Sequence, residues 1–322
     1  LIAVARRKAS LQEKPTQTLT VKAKAVTFKQ KAFRILPDNR VMLRLPRTYS
    51  RREIILEYRL SPKDFLGEVK QVKLVFSSQT SDWYLHIVHR VSVKYREPGN
   101  IMALDLGIVN IAAGILSTGQ TFLVPGGALL ALDRYFHKEI AKCRSSSSRR
   151  SRNLNRKWSR QRKHYLHALT RWIVDYAAGN NVSVIVVEEL KGIRSDANWG
   201  DRGNQKLHAW PYRKIIRMLT YKAALKGIRV VDVSEKDTSI TCPICRRRAK
   251  SARVMRGLFR HCGCLFNADM VGAYNILQRY LQEAGQPASG VVGGLARPAV
   301  NLFVWRKTTP QGREQGTFRQ TA

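Results

Sequence analysis

Three acidic residues of this sequence each stand where an apolar segment ends or a helix begins. Asp105 lies in ALDLG, Glu188 ends the run VIVVE, and Asp269 opens a helical pattern after Asn267-Ala268. A carboxylate in apolar surroundings is costly unless it is paired or binds a metal. Mg²⁺ takes oxygen ligands, and two such ions about 4 Å apart can clamp the attacking and leaving oxygens of a phosphodiester. The three acids together therefore indicate metal-dependent phosphodiester hydrolysis.

Each acid also has an ordinary explanation when it is taken alone. Asp269 could be simply an acid in the first turn of a helix, where it complements the helix dipole. Glu188 could be a strand-end surface residue, and Asp105 could belong to a turn. The combination of the three favours metal binding. Glu189 follows Glu188 directly, and neighbouring residues of a strand point to opposite faces. We select Glu188 because it continues the apolar strand.

Four of the five cysteines lie close together, from Cys242 to Cys264. Cys242-Pro-Ile-Cys245 has the CxxC spacing of a zinc knuckle. A redox CxxC would not need the second cluster, His261-Cys262-Gly263-Cys264. That cluster offers either CxC or HxxC, so two ligand sets stay open. The first choice is Cys242, Cys245, Cys262 and Cys264, and the alternative is three cysteines with His261. Four protein ligands leave no open position, which indicates a structural Zn²⁺.

A basic segment between Arg144 and Arg171 contains no acidic residue and includes Trp158 and Tyr165. A charge run is often only the solvated face of a helix. The net charge of the chain favours a helix that lies along a phosphate backbone instead. The predicted nucleic-acid contacts are Arg149, Arg150, Arg152, Arg156, Lys157 and Arg160.

The composition points to a folded protein with a polyanionic partner. The 322 residues are 44% hydrophobic, and 58 Lys and Arg against 22 Asp and Glu give a net charge of +36. Solubility needs a net charge of only about 2–8 in a small domain, so the excess predicts nucleic acid as the partner, with an anionic membrane surface as the alternative. No apolar run reaches about 20 residues, and no signal peptide is recognised. The cysteine usage predicts a reducing compartment. The sequence begins at Leu1 without Met, as a fragment of a longer chain would.

The elements that must position these residues follow from the hydropathy pattern. Up to residue 99 the chain shows short β-like runs, with a hairpin turn at Asp38-Asn39, and Pro98-Gly99 marks a boundary. Three strands follow, then a helical stretch from about Leu129 to Ala178 that a serine run interrupts. Strand, helix, strand and a late helix complete the order. We predict an α+β multidomain chain: an N-terminal antiparallel β domain, then an RNase H-like mixed sheet with helices on both faces and a zinc-binding insertion.

Four ordered motifs, ALDLGIVNIA, VIVVEEL, TSITCPIC and CGCLFNADMVGAYNIL, resemble the split RuvC motifs and inserted zinc ribbon of the TnpB family. These proteins are encoded by insertion sequences and are related to the type V CRISPR effectors. The resemblance is strongest from residue 101 to 285. It implies a wedge-like β domain over 1–99, a RuvC-like nuclease domain over 100–240 and 267–286, and a zinc ribbon over 241–266. A basic irregular tail is predicted from 287 to 322.

The resemblance assigns the first RuvC acid to Asp105, the second to Glu188 and the third, in the NAD triplet, to Asp269. It implies an RNA-guided DNA endonuclease with two catalytic Mg²⁺ ions and one structural Zn²⁺. The expected partners are a guide RNA and a double-stranded DNA target, whose two strands would pass one RuvC site in turn. The alternatives are a nuclease-silent RNA-guided repressor and a transposon accessory protein or DNA-joining enzyme without a guide.

Overall fold

In the computed structural model the chain divides into two compact units. The first comprises Leu1–Ser92 with Lys138–Lys157, and the second comprises Val93–His137 with Trp158–Ala322. The structure describes residues 2–4, 25–48, 52–58, 67–77, 82–146, 148–189, 210–234, 238–255, 257–287, 290, 293–307 and 314–320. No helix within these ranges is both long and apolar enough to cross a membrane.

Two antiparallel sheets make up most of the first unit. A four-stranded sheet has the order β1-β7-β6-β2, and a three-stranded sheet has the order β3-β4-β5. Phe28, Val41, Leu43, Val72 and Leu85 are buried in their shared core. The strands are β1 (Ile2–Val4), β2 (Ala25–Lys29), β3 (Phe33–Leu36), β4 (Arg40–Arg44), β5 (Glu53–Glu57), β6 (Glu68–Ser77) and β7 (Asp82–Arg90).

The hairpin predicted at Asp38-Asn39 is confirmed. Strand β3 pairs with β4 in antiparallel register, with Leu36 opposite Arg40. Asp38 and Asn39 have φ values of 59° and 56°. The three-residue loop 37–39 thus reverses the chain through two residues with positive φ, a conformation that Asp and Asn tolerate better than other residues with a side chain.

A mixed seven-stranded sheet forms the centre of the second unit, in the order β12-β11-β8-β9-β10-β15-β16. Strand β9 runs antiparallel to β8 and β10, whereas β11 is parallel to both β8 and β12. Because β8 and β11 are parallel neighbours, their carboxyl ends lie side by side. The strands are β8 (Asn100–Asp105), β9 (Asn110–Leu116), β10 (Thr121–Pro125), β11 (Val182–Glu189), β12 (Arg229–Ser234), β15 (Ala299–Lys307) and β16 (Glu314–Gln320).

Helices cover both faces of this sheet. The predicted break of the long helical stretch is confirmed, since α1 (Gly127–Ala141) and α2 (Arg149–Gly179) flank the serine run. Apolar residues of α2 and of α3 (Tyr212–Leu225) pack with Leu104 and Val187 on one face. The other face, with Ala103 and Val186, is covered by α4 (Ala268–Glu283). The alternation along β8 and β11 therefore assigns each side chain to one of two cores.

The described part of the tail from 287 to 322 contains two strands, so the prediction of an irregular tail was wrong for these segments. Strand β15 pairs in parallel with β10, and β16 pairs with β15. Phe303 and Phe318 cover Tyr165 of α2, with ring centroids 4.6 Å and 5.8 Å from the Tyr165 ring. Tyr165 is thus a fully buried core residue and not an aromatic of the basic surface. The glycine, proline and arginine residues before β15 obscured a strand pattern that aromatic packing stabilises.

Candidate functional site

Asp105 and Glu188 end neighbouring parallel strands at the same level of the sheet. Val187 of β11 is in register with Leu104 of β8, and the two acids are the next residue of each strand. Leu104 and Val187 belong to the core beneath α2 and α3, so alternation turns Asp105 and Glu188 to the other face, beneath α4. Glu189 points away from that face.

Helix α4 presents Asp269, Gly272 and Asn275 on one side, since residues three apart on a helix are neighbours. An ideal Cβ atom at position 272 would lie 2.4 Å from Oδ2 of Asp105. The carboxylate of Asp105 therefore occupies space that only a glycine leaves open. Asp269, in the first turn of the same helix, is one turn away from this contact. The structure thus brings Asp105 and Asp269 to the same side of α4.

The carboxylate of Asp269 is held by polar contacts from two directions. Asn110, the first residue of β9, donates a hydrogen bond of 2.7 Å from Nδ2 to Oδ2. Arg253 lies 3.7 Å from Oδ1 through its Nη2 atom. Asn267 caps α4, since its side chain accepts hydrogen bonds from the backbone N–H groups of Asp269 and Met270. The cap fixes the first turn, and with it the backbone that carries the acid.

Glu188 is held at both its backbone and its side chain. The hydroxyl of Tyr212, at the start of α3, donates to the Glu188 carbonyl. The hydroxyl of Thr238 donates a hydrogen bond of 2.5 Å to Oε1 of Glu188. Thr238 is the first residue of the motif TSITCPIC, but the sequence analysis gave it no role. Its contact with Glu188 depends on the tertiary fold.

The three acids share a face but do not form a tight cluster. Within the described part of the chain, the metal-ligand residues whose ligand atoms all lie within 4.8 Å of one another are cysteines and a histidine, and the three acids are not among them. Two ions about 4 Å apart, each with ligands about 2.1 Å away, spread carboxylates over a wider span than a single ion does. Three carboxylates, near the carboxyl ends of β8 and β11 and at the start of α4, fit such a pair of Mg²⁺ ions.

The tight group consists of Cys242, Cys245, His261 and Cys262. Strands β13 (Leu258–His261) and β14 (Cys264–Asn267) form a hairpin, and Cys262-Gly263 is its two-residue turn, with φ values of 50° and 71°. Nδ1 of His261 lies 3.6 Å from the Cys245 sulfur and 3.1 Å from the Cys262 sulfur. Such separations suit a tetrahedral zinc with ligands at 2.0–2.3 Å.

Cys264 is not a member of this group. It stands opposite His261 in the hairpin and is half-buried against the core beneath α4. The set of four cysteines, our first choice from the sequence, is therefore not the set that the structure gathers. The alternative set with His261 is gathered because the tight turn leaves Cys262, and not Cys264, beside the CxxC knuckle.

A hydrogen bond joins the thiols of Cys245 and Cys262. A hydrogen bond with the backbone of Arg247 lowers the pKa of the Cys245 thiol below its ordinary value. The hydrogen bond between Cys262 and Cys245 raises the pKa of Cys262 to about 11. A bound dication would favour the thiolate form of each cysteine.

Most of the predicted nucleic-acid contacts lie on the exposed side of α2, but Arg156 does not. Its Nε and Nη2 atoms donate to the two carboxylate oxygens of Asp82 over 3.0 Å and 3.3 Å. Arg150 lies 3.5 Å from Glu139. Trp158 is half-buried and donates from its ring nitrogen to Asp133. The exposed members are Arg149, Arg150, Arg152, Lys157 and Arg160.

Two family models match this chain. Residues 85–194 match OrfB_IS605, described as "Probable transposase". Residues 212–276 match the TNB domain of Cas12f1-like proteins. Together these segments hold Asp105, Glu188, Asp269 and the cysteine cluster. Over these two segments the chain is similar to the OrfB_IS605 and Cas12f1-like families. The resemblance inferred from the four motifs is confirmed.

Individual relatives agree with the family models. The chain is 25% identical over 233 residues to the CRISPR-associated endodeoxyribonuclease Cas12f1 of Sulfoacidibacillus thermotolerans, which covers 65% of this chain and 53% of that protein. It is 27% identical over 267 residues to the TnpB-like protein ORF457 of Acidianus two-tailed virus, with 70% and 57% covered. The chain thus spans a little over half the length of these curated relatives.

A solved structure supports the fold. The protein in a Cas12f1-sgRNA-target DNA complex aligns with a TM-score of 0.50 at 15% identity, over 78% of this chain and 58% of that one. At this identity the likeness concerns the fold alone. The mixed sheet with helices on both faces is therefore an architecture that this chain shares with a type V effector.

Proposed function

We propose that this protein is an RNA-guided DNA endonuclease that hydrolyses phosphodiesters at a single RuvC-like site. One observation carries the proposal. Asp105 and Glu188 end adjacent parallel strands on the face covered by the helix that begins with Asp269. Carboxylates from three separate elements thus lie on one face of the sheet, near the carboxyl ends of β8 and β11. Such an arrangement suits a pair of Mg²⁺ ions.

The strand order supports an RNase H-like assignment. The segment β10-β9-β8-β11-β12 places the first strand of the unit in the middle, with β9 antiparallel and β11 parallel to it. Within this assignment residues 100–240 and 267–286 supply the nuclease domain, and residues 241–266 supply a zinc ribbon between its last strand and its last helix.

Each residue near the strand edge has a role in this proposal. Asp105, Glu188 and Asp269 hold the metal ions, and Asn110 orients Asp269. Gly272 leaves the Asp105 carboxylate the room it needs. Bound Mg²⁺ would supply an activated water and stabilise the leaving oxygen. Cys242, Cys245, His261 and Cys262 would hold a structural Zn²⁺.

Guide RNA and target DNA are the proposed partners. The relative Cas12f1 carries the name of an endodeoxyribonuclease, and the similar solved structure is a complex with sgRNA and target DNA. The net charge of +36 and the exposed basic residues of α2 suit two polyanions. Base pairing would supply the sequence specificity and the protein would supply the geometry. We place this activity in the cytoplasm of a prokaryotic cell.

The test is to sequence the RNA that co-purifies with the protein and then to replace its guide portion. The DNA cut should move to the new complementary target and should require Mg²⁺. Asp105→Ala and Asp269→Ala should abolish cleavage while RNA binding persists, because one carboxylate changes little in a field of +36. Cleavage that ignores guide complementarity, or that survives removal of the RNA, would overturn the RNA-guided proposal and leave a general nuclease.

A second candidate is a DNA-joining enzyme without a guide, which the "Probable transposase" description of residues 85–194 favours. The same acids could activate a DNA 3′ hydroxyl in place of water. A strand-transfer assay with two labelled DNA substrates separates the two functions. Joined products formed without RNA would support the second candidate, whereas hydrolysed products that depend on the guide would support the first. RNA-guided binding without any cut by the unaltered protein would indicate a repressor.

A further inference from the structure

The side chain of Glu188 is oriented by a residue far away in the sequence. Thr238 lies 50 positions later and donates from Oγ1 to Oε1 of Glu188. Thr238 is only 4% exposed. A buried hydroxyl needs a hydrogen-bond partner, and a carboxylate that accepts from a fixed donor loses rotational freedom. The hydrogen bond therefore sets the plane of the Glu188 carboxylate.

Thr238 is itself held by Asn275 of α4. The Nδ2 atom of Asn275 donates to the backbone carbonyl of Thr238 over 2.7 Å and to that of Thr241 over 2.8 Å. Asn275 is 6% exposed and lies on the side of the helix that also bears Asp269 and Gly272. One buried amide thus joins the Thr238–Thr241 turn to the helix that carries the third acid.

We infer that Thr238 and Asn275 are positioning residues that aim the Glu188 carboxylate at the metal pair. This inference rests on the proposed nuclease function. Mg²⁺ demands near-ideal octahedral geometry, so the direction of a carboxylate oxygen matters. Groups that hydrogen-bond to metal ligands commonly change metal affinity 10- to 100-fold when they are replaced.

The backbone of Glu188 has separate support, which makes the inference testable. Tyr212 donates to its carbonyl, and Glu188 is in register with Val233 of β12. Removal of the Thr238 hydroxyl should therefore leave the strand in place and take one hydrogen bond from the carboxylate. A loss of metal affinity without a loss of fold is the result that distinguishes positioning from a merely structural role.

The experiment compares Thr238→Val, which keeps the shape but loses the hydroxyl, with Thr238→Ser, which keeps the hydroxyl. Mn²⁺ binding to the zinc-loaded chain without nucleic acid is measured by electron paramagnetic resonance, and the Mg²⁺ dependence of cleavage is measured beside it. We expect the Val variant to bind Mn²⁺ about 10- to 100-fold more weakly and to need more Mg²⁺. The Ser variant should stay within about threefold of the unaltered protein.

Asn275→Leu tests the same arrangement from the helix side, since it keeps the approximate size of the side chain and removes the amide donor without adding a charge near the metal site. This variant should also weaken Mn²⁺ binding, and it provides the test if Thr238→Val does not fold. Thr220→Val on α3, whose hydroxyl donates to the Ile216 carbonyl, is the control and should bind Mn²⁺ normally.

Unchanged Mn²⁺ affinity in folded Thr238→Val or Asn275→Leu would overturn the inference. A Glu188→Gln variant separates that outcome from failure of the proposed function. If Glu188→Gln weakens Mn²⁺ binding and the positioning variants do not, only the inference fails. If neither Glu188→Gln nor the positioning variants change Mn²⁺ binding, the proposed metal site fails as well.

Discussion

The backbone of Gly272 lies against the carboxylate of Asp105. A Cβ atom at position 272 would come within 2.4 Å of Oδ2 and 3.2 Å of Cγ of Asp105. Separations this short force one of the two groups to move. The backbone of a buried helix moves less readily than a side chain, so a substitution at 272 acts on the proposed metal ligand itself.

We therefore predict that Gly272→Ala displaces Asp105 and reduces cleavage at least about tenfold, with a weaker response to Mg²⁺. The fold should persist, because alanine favours a helix over glycine by roughly 1 kcal/mol and so offsets part of the strain. Cleavage rates across a Mg²⁺ titration and thermal melts check both points. Gly179→Ala is the matched control, since nothing lies within 4 Å of a Cβ atom there. Equal activity in the two variants would contradict the prediction.

The zinc prediction concerns the fourth ligand. The purified chain should carry about one zinc per molecule, and His261→Ala should release it. Cys264→Ser should retain the zinc, because Cys264 is not in the group whose ligand atoms lie within 4.8 Å of one another. Elemental analysis of the two variants after gel filtration decides the matter. Retention by His261→Ala with loss from Cys264→Ser would show that the four-cysteine set binds the metal.

Arg156 should act on stability and Arg149 on nucleic-acid binding. Arg156 and Asp82 form a two-point ion pair whose side chains are 28% and 21% exposed. We expect Arg156→Gln to lower the free energy of unfolding by roughly 1–2 kcal/mol, between the values for exposed and buried pairs. In a double-mutant cycle, Arg156→Gln should cost much less stability when Asp82 is already replaced by Asn, because the ion pair is then already lost.

Arg149→Gln should instead leave the melting temperature unchanged. It should weaken RNA binding and lower the slope of log affinity against log salt by about 0.7–0.9 per lost phosphate contact. Filter binding over a salt series measures this slope. If Arg156→Gln reduced the slope and did not affect stability, Arg156 would have to be a nucleic-acid contact after all.

Acid should destabilise the second unit through His167. Burial, followed by the ammonium groups of Lys222, Lys163 and Lys214, lowers the pKa of His167 from 6.5 to about 4. Between these values the unfolded chain binds more protons than the folded one, so stability rises with pH across the window and is lost as pH falls through it. The contribution amounts to about 1–2 kcal/mol after allowance for solvent screening.

His167→Gln removes this titration. Its free energy of unfolding should therefore fall less steeply than that of the unaltered protein between pH 6.5 and pH 4. Denaturant unfolding at a series of pH values measures the difference. Parallel curves for the two proteins would mean that His167 titrates alike in the folded and unfolded states.

Local patterns in the sequence were sufficient to predict most of the elements around the candidate site in the second unit. Apolar runs gave the strands around Asp105 and Glu188, and the serine run separated α1 from α2. Glu188 was chosen over Glu189 because it continues the apolar strand, and alternation along β11 turns it toward the face beneath α4. These features depend on neighbours within a few residues, which is why single-sequence periodicity predicts them.

Contacts between distant segments could not be predicted in this way. The Thr238–Glu188 and Asn275–Thr238 hydrogen bonds span 50 and 37 residues and leave no periodic trace. His261 and Cys264 were equally plausible ligands by spacing, and only the hairpin geometry distinguishes them. Arg156 forms an ion pair with Asp82, which lies 74 residues earlier, whereas other arginines and lysines of α2 are exposed.

The two carboxyl-terminal strands have a consequence for any shortened form of this protein. Strand β15 satisfies the backbone groups of β10, and Phe303 and Phe318 shield Tyr165 from water. A truncation after α4 would remove what looks like a dispensable basic extension. It would expose an open β edge beside uncovered aromatic rings, and such an edge is a template for pairing with another chain. The shortened protein should therefore aggregate even though it keeps all of its proposed catalytic residues.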